Sequence, residues 1–232
     1  MKQIIAIGGG GFGREIGELK IERYITNQSK NKNPKICFIP TATGDDAGYI
    51  ENFYTAFNSL GCITSHIDFF KRTIDLKPHI LDQDIIYVGG GNTKSMLAVW
   101  REWGLDSILK EAYENNIIMS GVSAGAICWF EKGITDSYKE SQSILPCLGF
   151  VKGVCCPHYD EEPERIPYVS ESLKENKIDE CIAIEGYCAL HLINDKPKYS
   201  VSFNKENNTH HVSCKNNKII HNKLENIEKI KL

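Results

Sequence analysis

Residues 117–130 read Ile117-Ile118-Met119-Ser120-Gly121-Val122-Ser123-Ala124-Gly125-Ala126-Ile127-Cys128-Trp129-Phe130. A short apolar run meets a Gly-x-Ser-x-Gly turn and passes at once into a helix-compatible stretch. Strand, sharp turn and helix in that order form the pattern of a nucleophile elbow, which presents a serine hydroxyl at the end of a sheet. A serine in such a turn adopts a strained, often positive-φ conformation, so the residues two before and two after must be small for strand and helix to pass. The helix behind Ser123 would aim its unpaired N–H groups and positive end at a developing oxyanion. The bland alternative is a strand-to-helix turn with an incidental serine, and the motif alone leaves both open.

A second glycine turn lies upstream. Asp84 to Val88 reads as a buried strand, and Gly89-Gly90-Gly91-Asn92-Thr93 leads from it into a helical stretch from Ser95 to Arg101. In an open parallel sheet, ligands bind beyond the carboxyl ends of the strands, where both turns fall. An acyl-transfer site needs two oxyanion donors, and the bare backbone of this loop can supply the second. One N–H is assigned to Ala124 and the other to Gly90 or Gly91.

The rest of the chain alternates. Strands are expected at Gln3–Ile7, Lys35–Ile39 and 62–68, then at 84–88 and from Ile117. Helices are expected after the Gly8–Gly13 turn, with Ile16, Leu19, Tyr24 and Ile25 on one face, at 47–60 and at Leu105–Glu114. This βαβ rhythm predicts an α/β fold with a mostly parallel open sheet and helices on both faces. Past residue 180 the runs are short and helix-free, which predicts antiparallel hairpins added to the same sheet. The 232 residues form one expected domain, large enough for a sizeable core.

Composition excludes several classes. A formal net charge of −3 offers no basic field for nucleic acid or an anionic membrane. No apolar run approaches a membrane span, and the amino terminus shows no signal-peptide cleavage pattern, so a cytoplasmic protein is expected. The nine cysteines, odd in number and set in apolar runs, fit buried free thiols in a reducing compartment. Cys155-Cys156-Pro157-His158 lacks the second ligand pair that a structural zinc would need. Gly8 to Gly13 satisfies Gly-x-Gly-x-x-Gly after a strand. A dinucleotide site also wants an acid at the end of the second strand, which closes instead in Phe38-Ile39-Pro40-Thr41. A close-packed turn beside the cleft is the preferred reading.

A serine nucleophile needs a base, and of the seven histidines His158 stands apart. It follows the apolar run Val151–Cys156 and Pro157, which holds the chain extended as it leaves the sheet. His79 precedes a strand, His66 is a packed or edge residue, and His210, His211 and His221 fall in polar hairpins. His191 alternates with leucines, where a solvent-facing position is expected. The third member should be a carboxylate that orients the imidazole. Glu185 follows the strand Cys181–Ile184, and Asp136 lies in a polar segment after the nucleophile helix. The order Ser, His, Glu excludes the usual α/β-hydrolase arrangement, whereas Asp136 would fit it.

Gly89-Gly-Gly-Asn-Thr93, Gly121-Val-Ser-Ala-Gly-Ala126, Pro157-His158 and Ile184-Glu185-Gly186 share the order and approximate spacing of the peptidase E family. The chain resembles that family from the first strand to about residue 192. Cyanophycinase is a relative, and the fold is similar to class I glutamine amidotransferases. The resemblance implies Ser123 as nucleophile, His158 as general base and acid, Glu185 as third member, and Gly91 with Ala124 as oxyanion donors. It implies a serine peptidase acting on dipeptides or short peptides, with no metal or cofactor. In the family an arginine downstream of the histidine holds an amino-terminal aspartate. Arg165 is the only arginine in the corresponding segment, closer to the histidine than that pattern, and with Asn92 it is the candidate substrate contact. The other readings are an isopeptidase or amidase on aspartyl-amide bonds and a noncatalytic small-molecule binder on the same scaffold.

Overall fold

The computed structural model describes residues 1–14, 17–139, 141–204, 206–224 and 228–231. The first strand, β1 (Gln3–Ile7), is buried throughout, as expected of a central strand covered on both faces. Its side chains alternate between two cores. Ile4 and Ala6 face one, and Ile5 and Ile7 the other. The pattern repeats in β2 (Lys35–Ile39) and β4 (Ile85–Val88), and β5 (Ile118–Val122) sends Met119 one way and Ile118 and Val122 the other. With β3 (Ile63–His66) these strands make parallel pairs in the order β1-β5-β4-β2-β3.

Helices cover both faces. α3 (Leu76–Leu81), α4 (Thr93–Glu102) and α5 (Leu105–Glu114) add Ile80, Trp100 and Leu109 to one core. α1 (Lys20–Thr26) and α2 (Ala47–Ser59) add Ile25, Phe53 and Phe57 to the other. The α/β class and the parallel sheet read from the sequence are therefore observed.

The tail meets the expectation of antiparallel hairpins on the main sheet in part. β10 (Cys188–Ile193) and β11 (Lys196–Ser202) extend the main sheet antiparallel beside β1, and β14 (Glu228–Lys231) completes its eight strands. The other tail strands join a second sheet of six, in the order β13-β12-β9-β8-β6-β7. Its members are β6 (Phe130–Tyr138), β7 (Ser141–Pro146), β8 (Val151–Cys156), β9 (Glu180–Ile184), β12 (Thr209–Lys215) and β13 (Lys218–Lys223). β8 and β9 place Cys155 and Ile184 in the main core and Val154 and Ala183 in a third, beneath α7 (Arg165–Lys174). Both faces of this sheet are thus used, and a separate layer is favoured over extension of the first. The polar segment after the nucleophile helix, which holds Asp136, is strand β6, whose Glu131, Lys132 and Asp136 face solvent while Gly133 to Thr135 are buried.

Two further expectations are corrected. The Gly8–Gly13 turn does not open a helix, because Gly10 (φ 95°) and Gly11 (φ 81°) hold the chain in the left-handed region, and α1 starts only at Lys20. Ile16, expected on that helix, lies outside the described residues. His191 is fully buried: Nδ1 contacts the Tyr24 hydroxyl at 2.8 Å and Nε2 the Gln3 amide oxygen at 3.0 Å. β10 sends Cys188, Leu190 and Leu192 into one core and Ala189 into the other, so both its faces are covered. Among the described residues, no helix is long and apolar enough to cross a membrane.

Candidate active site

β5 ends at Val122, and Ser123 follows with φ 57° and ψ −111°, a strained conformation for a residue that bears a side chain. The flanking glycines are required by close approach. A Cβ on Gly125 would collide with the Val88 carbonyl, and one on Gly121 with the Gly125 carbonyl. The helix behind the serine, α6 (Ala124–Ile127), is a single turn. Its dipole is correspondingly short, so any oxyanion stabilisation here rests on individual N–H groups rather than on the expected helix end. Among the described residues, the N–H groups of Ala124 and Gly91 make no hydrogen bond within the chain. That of Gly90 donates to the Tyr49 hydroxyl at 3.4 Å. Gly91 has φ 131°, and a Cβ there would strike the Ala42 carbonyl, so only glycine fits the loop.

The first glycine turn joins the elbow to the histidine. The Ser123 N–H donates to the Ile7 carbonyl at 3.0 Å, and the His158 N–H donates to the next carbonyl, Gly8, at 3.1 Å. Tyr187 N–H reaches Gly9 at 3.0 Å. Three loops therefore hang from consecutive carbonyls at the carboxyl end of β1. A Cβ on Gly8 would collide with the Glu185 carbonyl, and one on Gly9 would lie 2.9 Å from His158 Nδ1. The turn is filled by the protein's own backbone, as the close-packed reading expected.

His158 is 8% exposed and has φ 52°. Its Nδ1 lies 2.7 Å from Glu161 Oε2. The chain turns tightly here, with the Glu161 N–H bonded to the His158 carbonyl at 3.1 Å, so side chains three residues apart meet. Arg14 grips both oxygens of Glu161: Nη1 pairs with Oε1, and Nη2 donates to Oε2 at 2.8 Å. Arg14 Nη2 also lies 3.2 Å from His158 Nδ1. Nδ1 cannot both accept from the guanidinium and donate to the carboxylate, and the shorter carboxylate contact decides for donation. Nδ1 then carries the hydrogen and Nε2 is left as the basic nitrogen. Burial would raise the Glu161 carboxyl, but hydrogen bonds and charge from His158 and Arg14 prevail and hold it at about 2.

Glu185, expected to orient His158, does not contact it among the described residues. Its backbone abuts Gly8, but its Oε1 meets His210 Nε2 at 2.7 Å and its Oε2 accepts the Asn208 N–H at 2.6 Å. The β9–β12 pairing, which sets His210 opposite Ala183, draws the carboxylate toward the second sheet. Asp136 is no substitute. It sits on β6 with a 60% exposed side chain, 3.7 Å from Arg165.

Arg165 is 1% exposed, which corrects its role as substrate contact. Its Nε donates to Glu162 at 2.7 Å and its Nη1 to the Ile134 carbonyl at 2.9 Å, tying the start of α7 to β6. Asn92 is likewise structural: its Oδ1 caps α4 by accepting the Ser95 N–H at 2.9 Å, and its Nδ2 donates to the Ser137 carbonyl at 3.1 Å. The residues not anticipated are Glu161 and Arg14. His158-x-x-Glu161 is a visible i,i+3 pair, whereas Arg14 arrives from across the fold with no local signal. Among the described residues, no three His, Cys, Asp or Glu side chains converge as a metal site.

The profile of peptidase family S51 matches residues 4–199. The chain is 49% identical over 203 residues to the uncharacterized peptidase YgaJ of Bacillus subtilis strain 168, covering 87% of this chain and 88% of that one. It is 27% identical over 145 residues to the uncharacterized peptidase Lmo0363 of Listeria monocytogenes, 59% and 71% of the two chains. Among solved structures, a putative peptidase E protein from Listeria monocytogenes EGD-e superposes with a TM-score of 0.61 at 20% identity, over 97% of this chain and all 100% of that one. A peptidase from an acI-B1 actinobacterium gives 0.56 at 18% identity, over 96% and 88%. With its four motifs inside the matched span, the chain belongs to peptidase family S51, the peptidase E family.

Proposed function

We propose that this peptidase is of the serine type and hydrolyses dipeptides or short peptides through an acyl-enzyme on Ser123. The observation that carries the reading is the suspension of Ser123 and His158 from the adjacent carbonyls of Ile7 and Gly8, with His158 oriented by Glu161. His158 Nε2 takes the hydroxyl proton as Ser123 Oγ attacks the peptide carbonyl, and returns it to the amine as the C–N bond breaks. The N–H groups of Ala124 and Gly91 hold the oxyanion. Water then attacks the ester by the same route. Glu161 stays ionised, keeping Nδ1 protonated and stabilising the imidazolium.

Specificity for an amino-terminal aspartate does not rest on Arg165, which is buried and committed. The cation beside His158 is Arg14, with a 44% exposed side chain. Turnover of a dipeptide and aspartyl-amide panel tests the reading together with fluorophosphonate labelling. Stoichiometric labelling of Ser123, lost in His158→Ala, supports it. A protein that binds panel members but neither labels nor turns over would be a binder on this scaffold.

A further inference from the structure

We infer that the Tyr49 hydroxyl is an additional hydrogen-bond donor to the oxygen of the attacked carbonyl, acting beside Gly90. The inference rests on the serine-peptidase reading and adds a residue to it. Tyr49 lies in the first turn of α2, where its N–H donates to the capping carboxylate of Asp46 at 2.7 Å. Its half-buried ring is wedged between the first glycine turn and the Gly89–Gly91 loop. A Cβ on Gly13 would come within 2.9 Å of the Tyr49 hydroxyl, and one on Gly89 within 2.9 Å of Cε1. Phe12 and Phe38 pack against it with ring centroids 5.2 and 5.0 Å away.

Packing alone would be satisfied by phenylalanine. The hydroxyl instead sits at Gly90, whose N–H it accepts at 3.4 Å. The same residue abuts the nucleophile: a Cβ on Gly90 would lie 3.2 Å from Ser123 Cβ and 3.8 Å from Oγ. The phenol and the serine thus both meet one glycine. Gly90, a candidate oxyanion donor from the sequence, has its N–H turned to Tyr49. A phenol oxygen that accepts keeps its own proton to donate, and among the described residues Tyr49 donates to no other group. Donation from Gly90 polarises the hydroxyl and strengthens its outward bond. Burial pushes the phenol up to about 12, so it remains a protonated donor across the working range of an enzyme.

The test needs no knowledge of the natural peptide. An alkyl fluorophosphonate places its phosphoryl oxygen where the oxyanion forms, so its second-order labelling rate at Ser123 reads donor strength. Tyr49→Phe is expected to slow labelling by about 100-fold, the scale of losing one oxyanion donor, with the thermal midpoint little changed. Tyr54→Phe, on the same helix but hydrogen-bonded to His66 at 2.7 Å, is expected to label at the wild-type rate. A Tyr49→Phe rate within threefold of wild type overturns the inference while leaving the serine mechanism standing. Absence of labelling in the wild type removes both. Should Tyr49→Phe fail to fold, fluorinated tyrosine placed at position 49 keeps the shape but acidifies the phenol. The alkaline limb of the labelling rate should then move to lower pH, and an unmoved limb overturns the inference.

Discussion

Of the carboxylate–imidazole pairs among the described residues, Glu161 with His158 and Glu185 with His210 share the same 2.7 Å contact. They differ in what surrounds them. Glu161 is clasped by the Arg14 guanidinium, and its histidine hangs from the Gly8 carbonyl, one residue from the carbonyl that holds Ser123. Glu185 is satisfied by the neutral Asn208 N–H, and its histidine sits in β12 of the second sheet. The first pair is built into the end of the parallel sheet, and the second fastens the 206–208 segment to β9. A carboxylate beside an imidazole does not by itself mark a catalytic pair. Its backbone connection to the proposed nucleophile, Ser123, is what favours the first pair.

The comparison can be broken or sharpened by substitution. Ser123→Ala is expected to reduce turnover on the order of a million-fold with the fold intact, since it removes one oxygen from a half-buried turn. Retention of a tenth of wild-type kcat would remove Ser123 from the mechanism. Glu161→Gln can present an amide donor to Nδ1 and should lower kcat by about 10⁴. Glu185→Gln should stay within tenfold, and equal losses would erase the distinction between the pairs.

Smaller effects follow from the charges. Without Arg14, Glu161 loses the partner that helps hold it at about 2, so Arg14→Ala should shift acid inactivation to higher pH. Overlapping acid limbs would show Arg14 to be dispensable. Arg165→Ala should cost about 2–3 kcal/mol of stability by unbonding Glu162 and the Ile134 carbonyl. The kcat/KM ratio between aspartyl and neutral substrates should stay unchanged, and a selective loss on aspartyl substrates would restore Arg165 to the substrate site.

The pH dependence of stability has two windows. Burial lowers His191 to about 4, so as pH falls from about 6.5 the unfolded chain takes the proton first and stability declines. At about 1.4 kcal/mol per pH unit, this reaches on the order of 3 kcal/mol. Glu161, depressed to about 2, stabilises the fold above about 4.5 and loses that contribution as pH falls toward 2. Urea midpoints between pH 7 and 4 should therefore fall in the wild type and flatten in His191→Phe.

The parallel core and the elbow were legible because each depends on local pattern: buried strands from 3 to 122 and glycines spaced around Ser123. The second sheet was not, because β6 carries Glu131, Lys132 and Asp136 on its solvent face and reads as a loop. Glu185 misled for a related reason. Its position at a strand end is local, but the direction of its side chain is set by β12, more than twenty residues later. Arg14 lies 144 residues from His158, and its role follows only from the folding of the first turn over the histidine loop.

The most direct test of the Glu161 assignment is the imidazole proton itself. With ¹⁵N-labelled histidine, the Nδ1–H of His158, assigned by its loss in His158→Ala, should give a downfield proton resonance from its bond to a carboxylate. That resonance should persist in Glu185→Gln and vanish or move sharply upfield in Glu161→Gln. Persistence in Glu161→Gln with loss in Glu185→Gln would contradict the geometry described here and return Glu185 to the triad.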